Sequence, residues 1–212
     1  MRCTIASCAG AWLTGLMASS CVLTADVPTD DLDEADHIAS TAAAILGSTV
    51  SEVPLSPHGG SRGTYAGHVT PPSIVYGVRV SAGAYVDNIR FAWYQPRRPD
   101  NVYQSGDVWG NTPGYGGSGG TNNGWWFCPL GTGIIGLRGN AGTLVDRIGV
   151  ICSDVNNPAP GSPSNVYSPL WGGSGGSWFG EDTCAPGRLV DSFNLRSGTY
   201  LENLQALCVN AH

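Results

Sequence analysis

The chain of 212 residues contains two copies of one segment, in register and 56 residues apart. The copies run from Gly116 to Cys152 and from Gly172 to Cys208, and each begins with GGSGG. A cysteine, a Gly-x-x-x-acid motif and a second cysteine follow at the same distances in both. A fainter third copy lies upstream, with Gly59-Gly60-Ser61 and a motif from Gly83 to Asp87. Repeats of this length indicate structural units that bury one shared core, so the chemistry of the repeated loops is expected to occur more than once.

The residues before the repeats differ from them in composition. Residues 1–21 carry one charge, Arg2, and then an apolar stretch, which predicts a secretory signal peptide, with a transmembrane anchor as the alternative. Because residues 18–21 resemble the lipobox of bacterial lipoproteins, lipidation at Cys21 is an alternative to release. Residues 22–54 hold seven acids and neither Lys nor Arg, and predict an acidic, largely disordered linker. We therefore expect a secreted or surface-bound protein without a membrane span in its mature form.

Residues 55–212 form the predicted domain, which is long enough to bury a full core. This part contains nine Arg and nine acids, so its net charge is close to zero. Nucleic-acid binding requires a basic surface that replaces counterions, and the sequence therefore indicates no nucleic-acid partner.

The domain contains four cysteines, an even number in a chain predicted to be exported. Equal separations of 24 residues favour the pairs Cys128–Cys152 and Cys184–Cys208 over the other two connectivities. A zinc site is the alternative, but no CxxC spacing occurs. We expect two disulfides and neither a metal nor a cofactor.

The apolar residues after each acidic motif alternate with polar ones, as in Ile89, Phe91 and Trp93. Period-two alternation is typical of half-buried antiparallel strands. Similar strands are predicted before each motif, so each Gly-x-x-x-acid motif is expected at the tip of a β-hairpin, with its glycine at positive φ. The sequence predicts an all-β domain with three small sheets around a common axis.

GGSGG, a strand and then a Gly-x-x-x-Asp hairpin together resemble the jacalin-related lectins, in particular the griffithsin-like members with three such sites. The resemblance covers residues 55–212 and implies the β-prism I fold, with three four-stranded antiparallel sheets. It also implies binding of mannose- or glucose-type glycans without catalysis. The longer repeats, the in-repeat disulfides and Cys128-Pro129 are instead similar to vitelline membrane outer layer protein 1, which implies a structural coat protein.

The resemblance pairs each hairpin acid with the glycine loop of the next repeat along the chain. The carbohydrate-binding residues that it implies for two competent sites are Gly83, Tyr85, Val86, Asp87, Gly116 and Gly117, and Gly142, Leu144, Val145, Asp146, Gly172 and Gly173. A weaker third site would comprise Gly59, Gly60, Gly198, Tyr200 and Glu202. It is expected to be weaker because its acid is one methylene longer and its loop carries Arg62 where the other loops have glycine.

Carboxylates at hairpin tips suit sugar binding because they accept hydrogen bonds from two neighbouring hydroxyls. The alternative is that each acid caps its own turn. Catalysis has little support: the four histidines show no HExxH spacing, and the serines near glycine lack a GxSxG elbow with downstream Asp and His partners. The sequence therefore predicts a non-enzymatic protein whose partners are glycans.

Overall fold

The computed structural model describes residues 51–67, 70, 73–95 and 108–211. The predicted signal peptide, Cys21 and nearly all of the acidic linker lie outside the described residues. Every regular element in the described part is a β-strand, and none of it forms a helix that could cross a membrane. In chain order the strands are β1 Val53–Pro54, β2 His58–Gly59, β3 Thr64–Ala66, β4 Ile74–Ala82, β5 Val86–Gln95, β6 Val108–Asn111, β7 Tyr115–Gly116, β8 Thr121–Phe127, β9 Thr132–Ala141, β10 Val145–Asp154, β11 Val166–Tyr167, β12 Trp171–Gly172, β13 Ser177–Thr183, β14 Arg188–Ser197 and β15 Leu201–Asn210.

The strands form three antiparallel sheets of the same design. Two long strands make a central hairpin in each: β4–β5 in the first sheet, β9–β10 in the second and β14–β15 in the third. One edge of each sheet is split into two short strands, which are β6 and β7, β11 and β12, and β1 and β2. The other edge is β8, β13 or β3. The predicted all-β fold of three four-stranded sheets is confirmed, with one edge position of each sheet broken in two.

The inner faces of the three sheets share one apolar core. The alternation seen in the sequence places Ile89 and Phe91 inside, together with the equivalent residues of β10 and β15. The rings of Phe91 and Phe193 stack with their centroids 3.9 Å apart, which joins the first sheet to the third. Because strands of all three sheets contribute residues to this core, it is complete only when all three are present.

Two disulfides connect neighbouring sheets, with the predicted pairing. Cys128, just after β8, bonds to Cys152 in β10 and ties the first sheet to the second. Cys184, just after β13, bonds to Cys208 in β15 and ties the second sheet to the third. The described residues contain no cluster of groups that could hold a metal ion.

The repeats of the sequence do not coincide with the sheets of the structure. The GGSGG segment that begins at Gly116 links β7 to β8, and both strands belong to the sheet of the β4–β5 hairpin. A sequence copy therefore begins inside one sheet and ends in the next. The third sheet joins the two ends of the domain, because Val53 pairs with Cys208 and His58 with Leu204. Strand β1 also extends two residues into the segment that the sequence analysis assigned to the linker.

Candidate functional site

All three hairpin tips lie close to one another at one end of the prism. The rings of Tyr85 and Tyr200, from the first and third tips, are in edge contact with centroids 5.3 Å apart. The second glycine of each loop contacts the hairpin tip of another sheet. A methyl group on Gly60 would lie 2.5 Å from the carbonyl oxygen of Thr143, and Gly117 and Gly173 have the same relation to Thr199 and Ala84. The three candidate sites therefore share one surface.

Each hairpin acid occupies a β-bulge at the start of the second hairpin strand. The pairing steps from Ser81–Asn88 to Ala82–Val86, which leaves Asp87 opposite no residue of β4. The same shift occurs at Asp146 and at Glu202. A bulge frees the main chain of one residue and redirects its side chain. The fold thus presents three acids in the same way.

The freed carbonyl group of each acid holds the glycine loop. Gly117 N–H donates to Asp87 O over 2.8 Å, Gly173 N–H to Asp146 O over 3.0 Å, and Gly60 N–H to Glu202 O over 2.8 Å. Each predicted acid therefore lies beside its predicted loop. Acid and loop come from successive copies of the sequence but belong to the same sheet. The cause is that the loop crosses over the end of its own hairpin, from one edge of the sheet to the other.

The last two glycines of each complete loop cover the carboxylate directly. A methyl group on Gly119 or Gly120 would overlap an oxygen of the Asp87 carboxylate, and Gly175 has the same relation to Asp146. Gly120 also has a φ of +71°, which only glycine adopts readily. Asp87 and Asp146 are 7 % and 5 % exposed, and the glycines next to their carboxylates present main chain without side chains.

The predicted reason for the glycine of the hairpin motif was wrong. Gly83, Gly142 and Gly198 do not have the positive φ that was expected of them. A methyl group on Gly83 would lie 3.8 Å from Asp87 Oδ2 and 3.9 Å from Gly120 Cα, both ordinary contact distances. On Gly142 it would lie 3.7 Å from Asp146 Oδ2. Both positions therefore have room for a methyl group next to the carboxylate.

Two of the predicted site residues cannot contribute side chains. Val86 and Val145 are completely buried in the core, because they lie on the inward face at the first position of β5 and β10. Only their main-chain groups remain for a ligand. Tyr85 is exposed, whereas Leu144 and Tyr200 are partly buried at the equivalent positions. These three side chains form the rim between the sites.

The third site differs in its electrostatics and its covering loop. Arg62 stands where Gly119 and Gly175 cover the other two carboxylates. Glu202 is partly exposed, and within the described ranges it forms no ion pair with Arg62. The Glu202 side chain instead extends past Gly63, whose added methyl would lie 3.0 Å from Glu202 Cγ.

Burial raises the pKa of Asp146 above its ordinary value of 3.8. Hydrogen bonds from main-chain N–H groups of Gly142 and of Asp146 itself lower that pKa and offset part of the effect. A carboxylate in partial desolvation forms stronger hydrogen bonds with a neutral donor than one in bulk water. The site therefore suits hydroxyl donors.

Sequence reasoning did not identify several residues of these sites. Gly119, Gly120 and Gly175 belong to the GGSGG segments, but only the first two glycines of each segment were predicted to be binding-site residues. Asn88 follows the acid, and its side-chain amide donates to Gly117 O over 3.1 Å, which helps to hold the loop in place. Its position directly after Asp87 gave no signal, because Arg147 stands at the equivalent position of the second sheet.

The comparisons with known proteins give the fold its name. No protein-family model and no curated protein sequence matches the chain. Among solved structures, a Malaysian banana lectin is 15% identical with a TM-score of 0.55, and covers 76% of this chain and 99% of its own. A mannose-binding jacalin-related lectin from Ananas comosus is 16% identical with a TM-score of 0.56, over 75% of this chain and 98% of its own. Frutapin, a lectin from Artocarpus incisa, is 11% identical with a TM-score of 0.57, and the match covers 76% of this chain and 99% of frutapin.

These similarities define the class of fold. The chain has the β-prism I fold of the jacalin-related lectins, as the sequence motifs predicted. Each of these three structures is a lectin rather than an enzyme. The identities are low, so the likeness concerns the arrangement of the three sheets, and the site has to be judged from its own residues.

Proposed function

We propose that the protein is a non-catalytic, carbohydrate-binding protein that recognises mannose- or glucose-type glycans through Asp87 and Asp146. One observation carries the proposal: each aspartate lies in a bulge, with its carboxylate under the last two glycines of the loop and next to a hairpin glycine that has room for a methyl group. This geometry is present twice, with the same contacts, in two sheets.

The chemistry of the proposed sites matches that of an uncharged pyranose. A carboxylate accepts charge-assisted hydrogen bonds from two neighbouring hydroxyl groups. The N–H groups of Gly117 and Gly173 are occupied by Asp87 O and Asp146 O, so other main-chain N–H groups of the hairpin and of the glycine loop would donate to the sugar oxygens. The glycines lack side chains, which lets the sugar ring approach. The predicted residues Gly83, Asp87, Gly116 and Gly117 would serve the first site, with Tyr85 at its rim. Gly142, Asp146, Gly172 and Gly173 would serve the second, with Leu144 at its rim.

The third hairpin is proposed to bind sugar weakly or not at all. Glu202 places its carboxylate one methylene further from the main chain, and Arg62 adds a cationic side chain to the loop. Gly59, Gly60, Gly198 and Tyr200 keep the positions of their counterparts. The third site therefore differs from the other two in its acid, Glu202, and in its loop residue Arg62.

Two sites on one surface favour multivalent binding. A single shallow sugar site typically has a Kd on the order of millimolar, about −4 kcal/mol. Simultaneous engagement of two sites on one branched glycan raises the overall affinity without new contacts. We further propose that the protein is exported, by the signal in residues 1–21, and is secreted or held at the surface through Cys21. The two disulfides support this, since such bonds persist in oxidising compartments.

Binding to a glycan array tests the proposal. The purified domain is expected to bind mannose- or glucose-terminated glycans, and the double variant Asp87→Ala with Asp146→Ala is expected to bind none. Glu202→Ala serves as the matched control, since it removes a hairpin acid from the third tip and should leave array binding nearly unchanged. Glycan binding that survives in the double variant contradicts the proposal.

A structural role without a ligand is the second candidate, and one observation favours it. Asp146 accepts hydrogen bonds from main-chain groups of its own hairpin, as a turn-capping acid does. Under this alternative Asp146→Ala lowers the Tm strongly and no glycan binds. Under the lectin proposal the same substitution abolishes glycan binding at that site, so binding and not the Tm separates the two candidates.

A further inference from the structure

The outer face of the first sheet carries two arginines directly opposite each other. Arg79 in β4 pairs with Arg90 in β5 in the strand register. Arg79 Nε donates to Asn122 Oδ1 over 3.1 Å, which leaves its charge uncompensated. Arg90 is exposed and forms neither a hydrogen bond nor an ion pair with the part of the chain that the structure describes. Like charges directly opposite each other destabilise a sheet, so the pair has a cost that the described contacts do not offset.

The two arginines line a cavity that adjoins the glycine loop of the Asp87 site. The cavity has a volume of about 210 Å³, and its lining is formed by Arg79, Ser81, Asn88, Arg90, Gly117 and Ser118. Gly117 is the residue whose N–H holds Asp87 O, and Asn88 binds the carbonyl oxygen of Gly117 from the cavity side. The loop therefore separates the carboxylate of Asp87 from the guanidinium groups of Arg79 and Arg90.

The equivalent positions of the other two sheets lack such a pair. In the second sheet Arg138 is opposite Gly149, and its guanidinium donates to Ser168 O over 2.6 Å. In the third sheet Asn194 is opposite Gln205, and their side chains are bonded to each other over 3.3 Å. Two opposed arginines thus occur at this register position in the first sheet alone among the three.

We propose that Arg79 and Arg90 form an anion subsite beside the Asp87 site, which binds the carboxylate or sulfate group of an acidic sugar residue next to the neutral residue held by Asp87. The guanidinium group presents a planar fork of donors that matches a carboxylate or sulfate. Asp87 repels an anion and therefore selects a neutral sugar residue. The Asp87 site and the arginine pair together would bind a neutral and an acidic sugar residue in adjacent positions. This inference rests on the proposed function and narrows its ligand to acidic glycans for one of the two sites.

Titration calorimetry of the whole protein with three matched disaccharides tests the subsite. Each contains mannose linked to a second residue, which is glucose, glucuronic acid or glucose 6-sulfate, so that the last two separate a carboxylate from a sulfate. At low ionic strength we expect at least one acidic disaccharide to bind about tenfold more tightly than the neutral one. The preference is expected to decline in about 1 M salt, where the Debye length is about 3 Å.

Variants assign the preference to the arginine pair. Arg90→Gln and Arg79→Gln are expected to reduce the affinity for the acidic disaccharide to that for the neutral one, without changing the latter. Arg188→Gln is the matched control, because Arg188 lies at the far end of its hairpin and bonds to Ser51 O. It should keep the full preference. Tm values no lower than that of the unmodified protein establish that the two arginine-pair variants are folded, and removal of the like-charge contact is expected to raise them slightly. A cooperative melting transition establishes the same for Arg188→Gln.

The outcomes separate this inference from the proposed function. Equal binding of neutral and acidic disaccharides by the unmodified protein, or a preference that persists in both arginine variants, overturns the subsite and leaves the lectin proposal intact. Absence of binding to all three disaccharides overturns both. Acidic binding that is undiminished by Asp87→Ala also overturns the subsite as proposed, since the two positions would then act independently.

Discussion

Replacing both hairpin glycines by alanine separates binding from folding more sharply than any acid substitution. The change is Gly83→Ala with Gly142→Ala. Neither glycine has a positive φ, and the nearest atoms to the added methyl groups are 3.8 Å away at Gly83 and 3.6 Å away at Gly142. The fold therefore accommodates both methyl groups without displacement. Each group lies between the aspartate Oδ2 and the glycine loop, where the sugar hydroxyl would approach under the proposed function.

The magnitudes follow from these contacts. Alanine at a compatible glycine position stabilises by about 0.4–1 kcal/mol, mainly by restricting the unfolded chain, so two substitutions contribute about 1–2 kcal/mol. For a domain of this size that raises the Tm by roughly 2–8 °C. A hydrogen bond to a charged group contributes about 1.5–3 kcal/mol, so loss of one at each site weakens sugar binding by at least about tenfold.

Calorimetric melting and titration with methyl α-mannoside measure the two effects on the same sample. Gly198→Ala is the matched control, because it makes the same substitution at the third tip, 3.4 Å from Glu202 Oε1, and should leave binding unchanged. A double variant that is at least as stable as the unmodified protein and still binds the sugar with full affinity refutes the reasoning. So does a marked loss of stability, since the hairpin glycines would then be structural.

Three further predictions concern the core, the loop and the protonation of the second site. Burial, followed by the negative charge of Glu52, raises the pKa of Asp191 to about 7, and Asp191 Oδ1 has no hydrogen-bond partner among the described residues. Because the folded state holds this proton more tightly than the unfolded state, the contribution of Asp191 to stability is full below about pH 4 and is lost as the pH rises through 7. At about 1.4 kcal/mol per pH unit, the loss of stability is at most roughly 4 kcal/mol. Asp191→Asn should therefore stabilise the protein at pH 8 and flatten the dependence of the unfolding free energy on pH between 4 and 7. An unchanged pH profile in urea unfolding argues against this. Gly119→Ala should destabilise the protein and abolish binding at the first site, because its methyl would overlap Asp87 Oδ1; a normal Tm in thermal melting would be inconsistent with the close loop. In Asp87→Ala, where Asp146 alone binds, affinity measured by titration should fall as the pH is lowered toward the raised pKa of Asp146, and constant affinity down to pH 4 would exclude an ionised acceptor.

The features that the sequence predicted are those that repeat at fixed spacing. Equal separations between cysteines identified both disulfides, and alternation beside each Gly-x-x-x-acid motif identified the hairpins and the inward residues such as Ile89 and Phe91. The paired glycine and acid motifs then indicated the β-prism. Local patterns of this kind survive folding because they depend on neighbouring residues.

The features that the sequence did not predict depend on pairing between distant strands. The bulge at Asp87 arises from the register of β4 against β5, which no single residue signals. The assignment of the loop at Gly116 to its own sheet depends on β7 and β8 pairing with opposite edges of one hairpin. The Arg79–Arg90 pair could have been found by counting back from the hairpin tip, but only with the one-residue shift of the bulge already known.

A crystal structure of the protein soaked with mannose tests the central claim most directly. The account predicts one sugar at each of Asp87 and Asp146, with two hydroxyl oxygens of each ring about 2.6–3.0 Å from a carboxylate and with ring oxygens facing main-chain N–H groups. Empty density at both aspartates under saturating sugar, or a sugar bound elsewhere on the prism, would contradict it.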